Sequence, residues 1–163
     1  MVPWQPPVYL ARTGHPGSGR GEGMSRLRVY IIDDNTLFLV AASRFLADFC
    51  GVEVVGIAQS AEDGLRHIAQ LQPDVVLLDH NMPGMSGLEA AARIKTAANA
   101  PAVVIVTLGA TPQLRDEALK AGCAGLVSKI DFTAEMPPLI ETLVGARRSA
   151  RSTDRAACRC AAD

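Results

Sequence analysis

Five short aliphatic segments alternate along the chain with longer segments of helical periodicity. The short segments are apolar at successive positions rather than at every second one, which is typical of strands in a parallel sheet covered by helices on both faces. We predict strands over residues 28–33, 52–57, 74–79, 102–107 and 124–129. We predict helices over residues 36–50, 61–71, 86–98, 111–122 and 133–147. This alternation predicts an α/β fold, a doubly wound parallel sheet of five strands with five helices.

The composition of the chain separates a central domain from two terminal segments. Residues 1–24 hold four of the ten prolines and five of the fourteen glycines, which predicts a disordered leader. Residues 25–147 have the size of one domain, and residues 25–146 carry nine Lys and Arg against fourteen Asp and Glu. This acidic balance argues against a DNA-binding body, which would present a basic face. Residues 148–163 are predicted to form a flexible basic tail, too short for a DNA-binding output domain.

No segment has the pattern of a membrane span or of a signal peptide. Residues 96–114 carry no charge, but Pro101 and Pro112 prevent one uninterrupted apolar helix. The first residues lack a basic start followed by an apolar run. The chain has four cysteines, Cys50, Cys123, Cys158 and Cys160. Without a secretory signal they do not indicate a disulfide framework, and we expect a cytoplasmic protein with reduced thiols.

Polar residues stand where four of the predicted strands end. Asp33 and Asp34 come at the end of the first strand, and Asp79 ends the third. Thr107 ends the fourth strand, and Lys129 ends the fifth. Because the functional crevice of an open parallel sheet lies at the carboxyl ends of its strands, we expect these side chains to converge.

The converging side chains favour phosphoryl chemistry. Three carboxylates at one edge repel one another and require a cation, and oxygen ligands favour the hard ion Mg²⁺. The Thr107 hydroxyl and the Lys129 ammonium would then contact the oxygens of a bound phosphoryl group. Asp79 is the carboxylate that stands alone at a strand end opposite these two groups, so we predict it as the nucleophile.

The loop after Asp79 contains residues that suit a tight bend beside this site. Pro83 and Gly84 are expected to shape the turn, and Gly87 is expected to let the following backbone pack closely. The loop must turn sharply beside the metal.

Several segments at the predicted strand ends carry a resemblance to a known family. They read IDDN at 32–35, LLDHNMPGMSG at 77–87, VT at 106–107 and VSK at 127–129, with AGCAG at 121–125 leading into the last strand. Over residues 26–145 the chain resembles the receiver domain of response regulators in two-component signalling. The Asp-x-x-Met-Pro-x-x-x-Gly pattern that begins at Asp79 is highly specific. The resemblance implies a flavodoxin-like fold with the strand order 2-1-3-4-5 and a site between the first and third strands.

By this resemblance, Asp79 accepts a phosphoryl group from the phosphohistidine of a histidine kinase. Mg²⁺ would be held directly by Asp34, largely through water by Asp33, by Asp79, and by the backbone carbonyl of Asn81. The resemblance therefore assigns the metal to four residues and the phosphoryl group to one of them.

The resemblance also implies what surrounds the reaction. Thr107 and Lys129 would bind the phosphoryl oxygens and move on activation. The partners would be a histidine kinase or phosphotransfer protein and a separate downstream protein, which contacts the fourth helix, the fifth strand and the fifth helix. Homodimerisation stays open, and neither nucleic acid nor membrane is expected as a direct partner. The chain would not be an enzyme, except that it catalyses its own phosphotransfer and dephosphorylation.

Three positions depart from the usual receiver pattern. Leu126 stands where receivers usually carry the Tyr or Phe that swings inward on activation. Leu108, directly after Thr107, is large where a small residue is usual, and it is expected to crowd the nucleophile. Ile130 replaces the proline that commonly follows the lysine. These changes leave the predicted site chemistry intact and bear on the switching step.

The departures keep other functions open. A non-switching receiver-like protein that binds its partner independently of phosphorylation is one alternative, and a truncated DNA-binding response regulator is another. Phosphatases of the haloacid-dehalogenase type are disfavoured, because they need an acid where this chain has Asn81. An FMN carrier is disfavoured because the acids at 33–34 replace a phosphate-binding loop.

Overall fold

The computed structural model describes residues 26–159, with side chains as far as Ala146. The strands are β1 Leu27–Ile32, β2 Val52–Ala58, β3 Val75–Asp79, β4 Ala102–Thr107 and β5 Gly125–Ser128. The helices are α1 Thr36–Ala47, α2 Ala61–Leu71, α3 Gly87–Lys95, α4 Pro112–Lys120 and α5 Phe132–Arg159. All strand pairs are parallel, and the order across the sheet is β2-β1-β3-β4-β5. The predicted doubly wound, flavodoxin-like sheet of five strands and five helices is therefore confirmed.

Two apolar layers cover the two faces of the sheet. Helices α1 and α5 pack on one face with strand residues such as Ile31 and Leu77, and α2, α3 and α4 pack on the other with Leu78 and Ile105. All residues of β3 are buried. A fully buried aliphatic side chain contributes about 1.5–3 kcal/mol, so neither face could be left in solvent. This double coverage explains why the central strands are apolar at successive positions.

Side-chain caps fix the N-termini of four helices at the edge where the strands end. The capping residues are Asn35, Ser60, Ser86 and Thr111, and each accepts a hydrogen bond from the backbone N–H three residues later. Such a cap contributes about 1 kcal/mol. Because each helix follows a strand, the capped ends lie beside the carboxyl ends of the strands.

The largest difference from the predicted elements is at the end of α5, which was expected at residue 147 and lies at Arg159. Beyond Gly145 the helix contains neither Gly nor Pro, and it is rich in Ala and Arg, which are good helix formers. The division into leader, domain and tail stays a prediction. The leader 1–24 and the final residues 160–163 lie outside the described part of the chain. Within residues 26–159 there is no helix with the length and apolar character of a membrane span.

Candidate functional site

The carboxyl ends of four strands meet at one edge of the sheet and carry the predicted side chains. Asp33 follows β1 directly, Asp79 is the last residue of β3, and Thr107 is the last residue of β4. Lys129 follows β5 directly. The chain passes from β1 to one edge of the sheet and returns on the other side at β3, which leaves a crevice where these two neighbouring strands end.

Three carboxylates converge in this crevice. One oxygen from each of Asp33, Asp34 and Asp79 lies within 4.8 Å of the other two. Asp33 and Asp79 are buried, whereas Asp34 is exposed. The set offers hard oxygen donors with one side open to solvent, which fits a divalent ion such as Mg²⁺ that keeps part of its water shell. The structure thus brings together the three acidic residues predicted to hold the metal.

Lys129 reaches into the carboxylate cluster. Its Nζ lies 2.7 Å from Oδ2 of Asp33 and 3.2 Å from Oδ1 of Asp79, and its side chain is only 9% exposed. The same Nζ lies 4.9 Å from the centre of the Phe38 ring, within range of a cation–π interaction. Three carboxylates and one ammonium leave a formal charge of minus two, which a divalent cation would balance.

The charge state of Asp33 reflects its burial in this cluster. Burial raises the pKa of the Asp33 carboxyl above its ordinary value, and the Asp79 carboxylate adds to the rise. The Lys129 ammonium and the backbone N–H of Asn35, which donates to Asp33 Oδ1 at 2.9 Å, act in the opposite direction. A cation bound to Asp33 would add to these opposing contacts and favour the ionised form.

Thr107 lies at the same edge and is completely buried. Its Oγ accepts a hydrogen bond from the backbone N–H of Gly109 at 3.2 Å, which leaves the hydroxyl proton free to be donated elsewhere. The backbone carbonyl of Thr107 accepts from the N–H of Lys129 at 2.8 Å. The hydroxyl and the ammonium therefore sit on directly joined strand ends.

The loop between β3 and α3 packs tightly against the end of β3. The N–H of His80 donates to Val106 O at 2.9 Å, and the N–H of Gly87 donates to His80 O at 3.0 Å. A Cβ at Gly87 would lie 2.3 Å from the carbonyl oxygen of Asp79, so the predicted close packing at this glycine is present. Gly84 has a φ of 85° and occupies the left-handed region. Asn81 is exposed in this loop, and its carbonyl as a metal ligand stays a prediction.

The three departures from the receiver pattern have different environments. Leu126 is buried in the core beneath α4, with 4% of its surface exposed. Leu108 and Ile130 are largely in solvent, at 66% and 75% exposed. In this conformation most of the Leu108 side chain faces solvent, although we expected it to crowd the nucleophile.

Sequence reasoning missed several side chains around the site. Phe38 lies beside the Lys129 ammonium, but an aromatic residue on an amphipathic helix is normally interpreted as part of the core. Glu135 accepts from the N–H of Ser128 at 2.8 Å, and Arg115 donates to Leu126 O at 3.2 Å. The one available signal was the acid in the first turn of α5, which resembles a capping residue.

Comparison with known proteins gives a consistent result. The family model described as the response regulator receiver domain matches residues 29–137. The response regulator GacA of Pseudomonas viridiflava is 38% identical over 122 residues, which are 75% of this chain and 57% of GacA. The protein-glutamate methylesterase/protein-glutamine glutaminase 5 of Myxococcus xanthus is 38% identical over 107 residues, 65% of this chain and 31% of that protein.

A solved structure shows the same similarity in three dimensions. The two-component response regulator of the LuxR family from Aurantimonas sp. SI85-9A1 aligns with a TM-score of 0.70 and 28% identity, covering 75% of this chain and 87% of that one. The present chain thus spans little more than half the length of the GacA relatives that it matches.

Proposed function

This chain belongs to the response regulator receiver domain family of two-component signalling, and from that premise we propose that Asp79 accepts a phosphoryl group from a phosphohistidine. The observation that carries the proposal is the meeting of three carboxylates with one buried ammonium at the edge of the sheet.

The residues of the site have distinct roles in the proposed transfer. A carboxylate oxygen of Asp79 attacks the phosphorus, and the new O–P bond forms as the P–N bond to the donor imidazole breaks. The electron pair of that P–N bond returns to the imidazole nitrogen. The Lys129 ammonium and the Thr107 hydroxyl stabilise the negative charge on the phosphoryl oxygens. Lys129 must therefore exchange part of its contact with Asp79 for a contact with the incoming group.

Four residues would hold the metal ion during this transfer. They are Asp33, Asp34, Asp79 and, through its backbone carbonyl, Asn81. When bound, Mg²⁺ supplies charge neutralisation that lets an anionic nucleophile approach an anionic phosphoryl group. The exposed position of Asp34 supports this role, because an ion held there keeps contact with solvent water.

The surface around the site supports a protein as the phosphodonor. Leu37, Leu108 and Ile130 are 82%, 66% and 75% exposed, and each lies within three residues of Asp34, Thr107 or Lys129. A histidine kinase or phosphotransfer protein that brings its phosphohistidine to Asp79 must cover this edge and would bury these side chains. A small phosphodonor would leave these side chains exposed.

The output of the proposed switch is a separate protein that binds α4, β5 and α5. A cleft of about 660 Å³ lies between these elements and is lined by Arg115, Leu119, Leu126, Glu135 and Leu139 among others. A partner side chain could enter this cleft, and a second copy of the chain would compete for the same face. We expect the protein to be cytoplasmic and to catalyse no reaction other than its own phosphotransfer and dephosphorylation. We expect no direct contact with nucleic acid.

Leu126 favours a second function, a receiver-like module that binds its partner without switching. The side chain is buried in the core, and it has no aromatic ring that could move between an inward and an outward position. A partner affinity that changes tenfold or more on phosphorylation would exclude this alternative.

The experiment that tests the proposed function is phosphorylation of the native chain with Mg²⁺ and phosphoramidate, followed by intact mass spectrometry. We expect a mass gain of one phosphoryl group on the native chain and on Asp131→Asn, which changes an exposed acid in the loop after Lys129. We expect no gain on Asp79→Ala. A native chain that gains nothing, or a gain that persists in Asp79→Ala, would refute the proposal.

A further inference from the structure

Strand β5 carries Lys129 at its end and lies at the edge of the sheet, so within residues 26–159 one of its sides has no neighbouring strand. Side chains from two helices bind its backbone. Arg115 of α4 donates to the carbonyl of Leu126 at 3.2 Å, and Glu135 of α5 accepts from the N–H of Ser128 at 2.8 Å. The second contact is made by the residue directly before Lys129.

The turn that follows Ser128 is closed by further hydrogen bonds. Ser128 Oγ accepts from the N–H groups of Ile130 and Asp131 at 3.2 and 3.4 Å. The carbonyl of Asp131 accepts from the N–H of Glu135 at 2.9 Å, which begins α5. Glu135 is therefore held at its backbone by the turn and holds the start of the same turn with its carboxylate. The backbone of Lys129 lies inside this closed set of contacts.

The bond to Ser128 is charge-assisted, because a carboxylate accepts it, and Ser128 itself is buried. Loss of the carboxylate would leave a buried N–H without a partner and free the backbone on one side of Lys129. The N–H of Lys129, bonded to Thr107 O at 2.8 Å, and the bonds from Ile130 and Asp131 to Ser128 Oγ would remain, but none of them replaces the contact at the N–H of Ser128. The ammonium must reach Asp33 and Asp79 at 2.7 and 3.2 Å, so a shift of its backbone changes both contacts.

We propose that Glu135 is a positioning residue for Lys129, which fixes the backbone from which the ammonium reaches the phosphoacceptor site and ties that site to α5. The proposal rests on the proposed function, since the reaction at Asp79 is its readout. Glu135 also lines the cleft between α4 and α5, so the same residue belongs to the proposed output surface.

The first test compares three substitutions of Glu135 by their rate of phosphorylation with phosphoramidate at saturating Mg²⁺. Glu135→Ala is expected to be slower by about tenfold or more, as misplaced catalytic groups are. Glu135→Gln, whose amide oxygen still accepts from Ser128, is expected within about threefold of the native rate. Glu135→Asp keeps the charge but is one methylene shorter, and it is expected to be as slow as Glu135→Ala.

The matched control is Glu141→Gln, which removes the same charge from an exposed position of α5, and its rate is expected to be unchanged. If Glu135→Ala does not fold, the phosphorylation rates of Glu135→Asp and Glu135→Gln are compared instead, because only the second keeps an acceptor within reach of the N–H of Ser128. Circular dichroism at the assay temperature shows which variants are folded. A folded Glu135→Ala or Glu135→Asp with the native rate would overturn the proposal.

The decisive test is a double-mutant cycle with Lys129→Ala. If Glu135 acts through Lys129, then Glu135→Ala changes the already reduced rate of Lys129→Ala by less than about twofold. An equal tenfold loss in both backgrounds would overturn the positioning role, because it would show an effect that bypasses the lysine. A native chain that takes up no phosphoryl group refutes the proposed function and this inference together. A native chain that is phosphorylated while the cycle is additive refutes the inference alone.

Discussion

The substitution Gly87→Ala tests whether the packing beneath the proposed phosphoacceptor site is as tight as the structure shows. A Cβ at this position would lie 2.3 Å from the carbonyl oxygen of Asp79, 2.8 Å from Cα of His80 and 3.0 Å from the carbonyl carbon of Asp79. A carbon normally stays about 3.3 Å from a carbonyl oxygen, so one of the two backbones must move by about 1 Å. All three close atoms belong to the backbone, which cannot move aside as the end of a side chain can.

The expected result has two parts. Overpacking of this kind costs about 1–3 kcal/mol, so the free energy of unfolding should fall by that amount. The displaced backbone is that of Asp79, the proposed nucleophile, and a shift of about 1 Å can slow a positioned reaction by about 100-fold. The φ angle of Gly87 is not positive, so the effect is steric rather than conformational.

The assay is urea unfolding followed by circular dichroism, together with the rate of phosphorylation by phosphoramidate. Circular dichroism is preferred because Trp4, the only tryptophan, lies outside the described residues. Gly109→Ala is the matched control, because a Cβ at Gly109 meets nothing within 4 Å. If Gly87→Ala kept both the native stability and the native rate, the reasoning from close packing would be wrong.

Three further predictions follow from the site and its surroundings. Lys129→Ala leaves two buried carboxylates without their ammonium and should lower the free energy of unfolding by about 3 kcal/mol in the absence of Mg²⁺. Mg²⁺ should then raise the Tm of this variant more than it raises the Tm of the native chain. An equal rise in both would contradict this prediction. Leu37→Ala should slow phosphoryl transfer from an autophosphorylated histidine kinase but not from phosphoramidate. Leu119→Ala, which changes an exposed leucine of α4, should change neither rate. Phosphoryl transfer from the kinase to Leu37→Ala at the native rate would remove this support for a protein donor. Burial raises the pKa of the Cys123 thiol, so its thiolate fraction stays small as the pH rises to values where an ordinary thiol ionises. Peptide mapping after timed iodoacetamide treatment at pH 8.5 should therefore find exposed Cys50 modified long before Cys123, and equal rates would show that Cys123 is accessible.

The convergence of the site could be predicted because it depends on topology alone. Parallel strands that are each followed by a helix end at the same edge, and the strand order implied by the receiver resemblance makes β1, β3, β4 and β5 successive neighbours. Asp33, Asp79, Thr107 and Lys129 were therefore expected to lie near one another. The caps at Ser60 and Ser86 were equally local, since the capping oxygen and its N–H partner are only three residues apart.

The contacts between side chains of distant segments could not be predicted in this way. The ring of Phe38 beside the Lys129 ammonium depends on how α1 is rotated against the sheet. The bond from Ser128 to Glu135 depends on the path of the turn that joins β5 to α5. Periodicity indicates which face of α1 packs on the sheet, but it gives neither the distance from the Phe38 ring to the ammonium nor the path of the turn.

The end of α5 shows the limit of local signals as well. Residues after Gly145 favour a helix by their composition, but their charge suggested a flexible tail, and the structure continues the helix to Arg159. Leu108 shows the same limit at a single side chain, because its size was evident from the sequence and its exposure was not.

The sequence by itself determined the strands, the helices apart from the end of α5, and the edge at which the three acidic residues, Thr107 and Lys129 gather, because periodicity and strand-end chemistry are local properties. Only the tertiary structure decided which oxygens of Asp33 and Asp79 contact the ammonium and that Glu135 holds the backbone beside Lys129. The physical reason is that a hydrogen bond or an ion pair requires two groups within about 3 Å. Packing between segments far apart in the chain sets such distances.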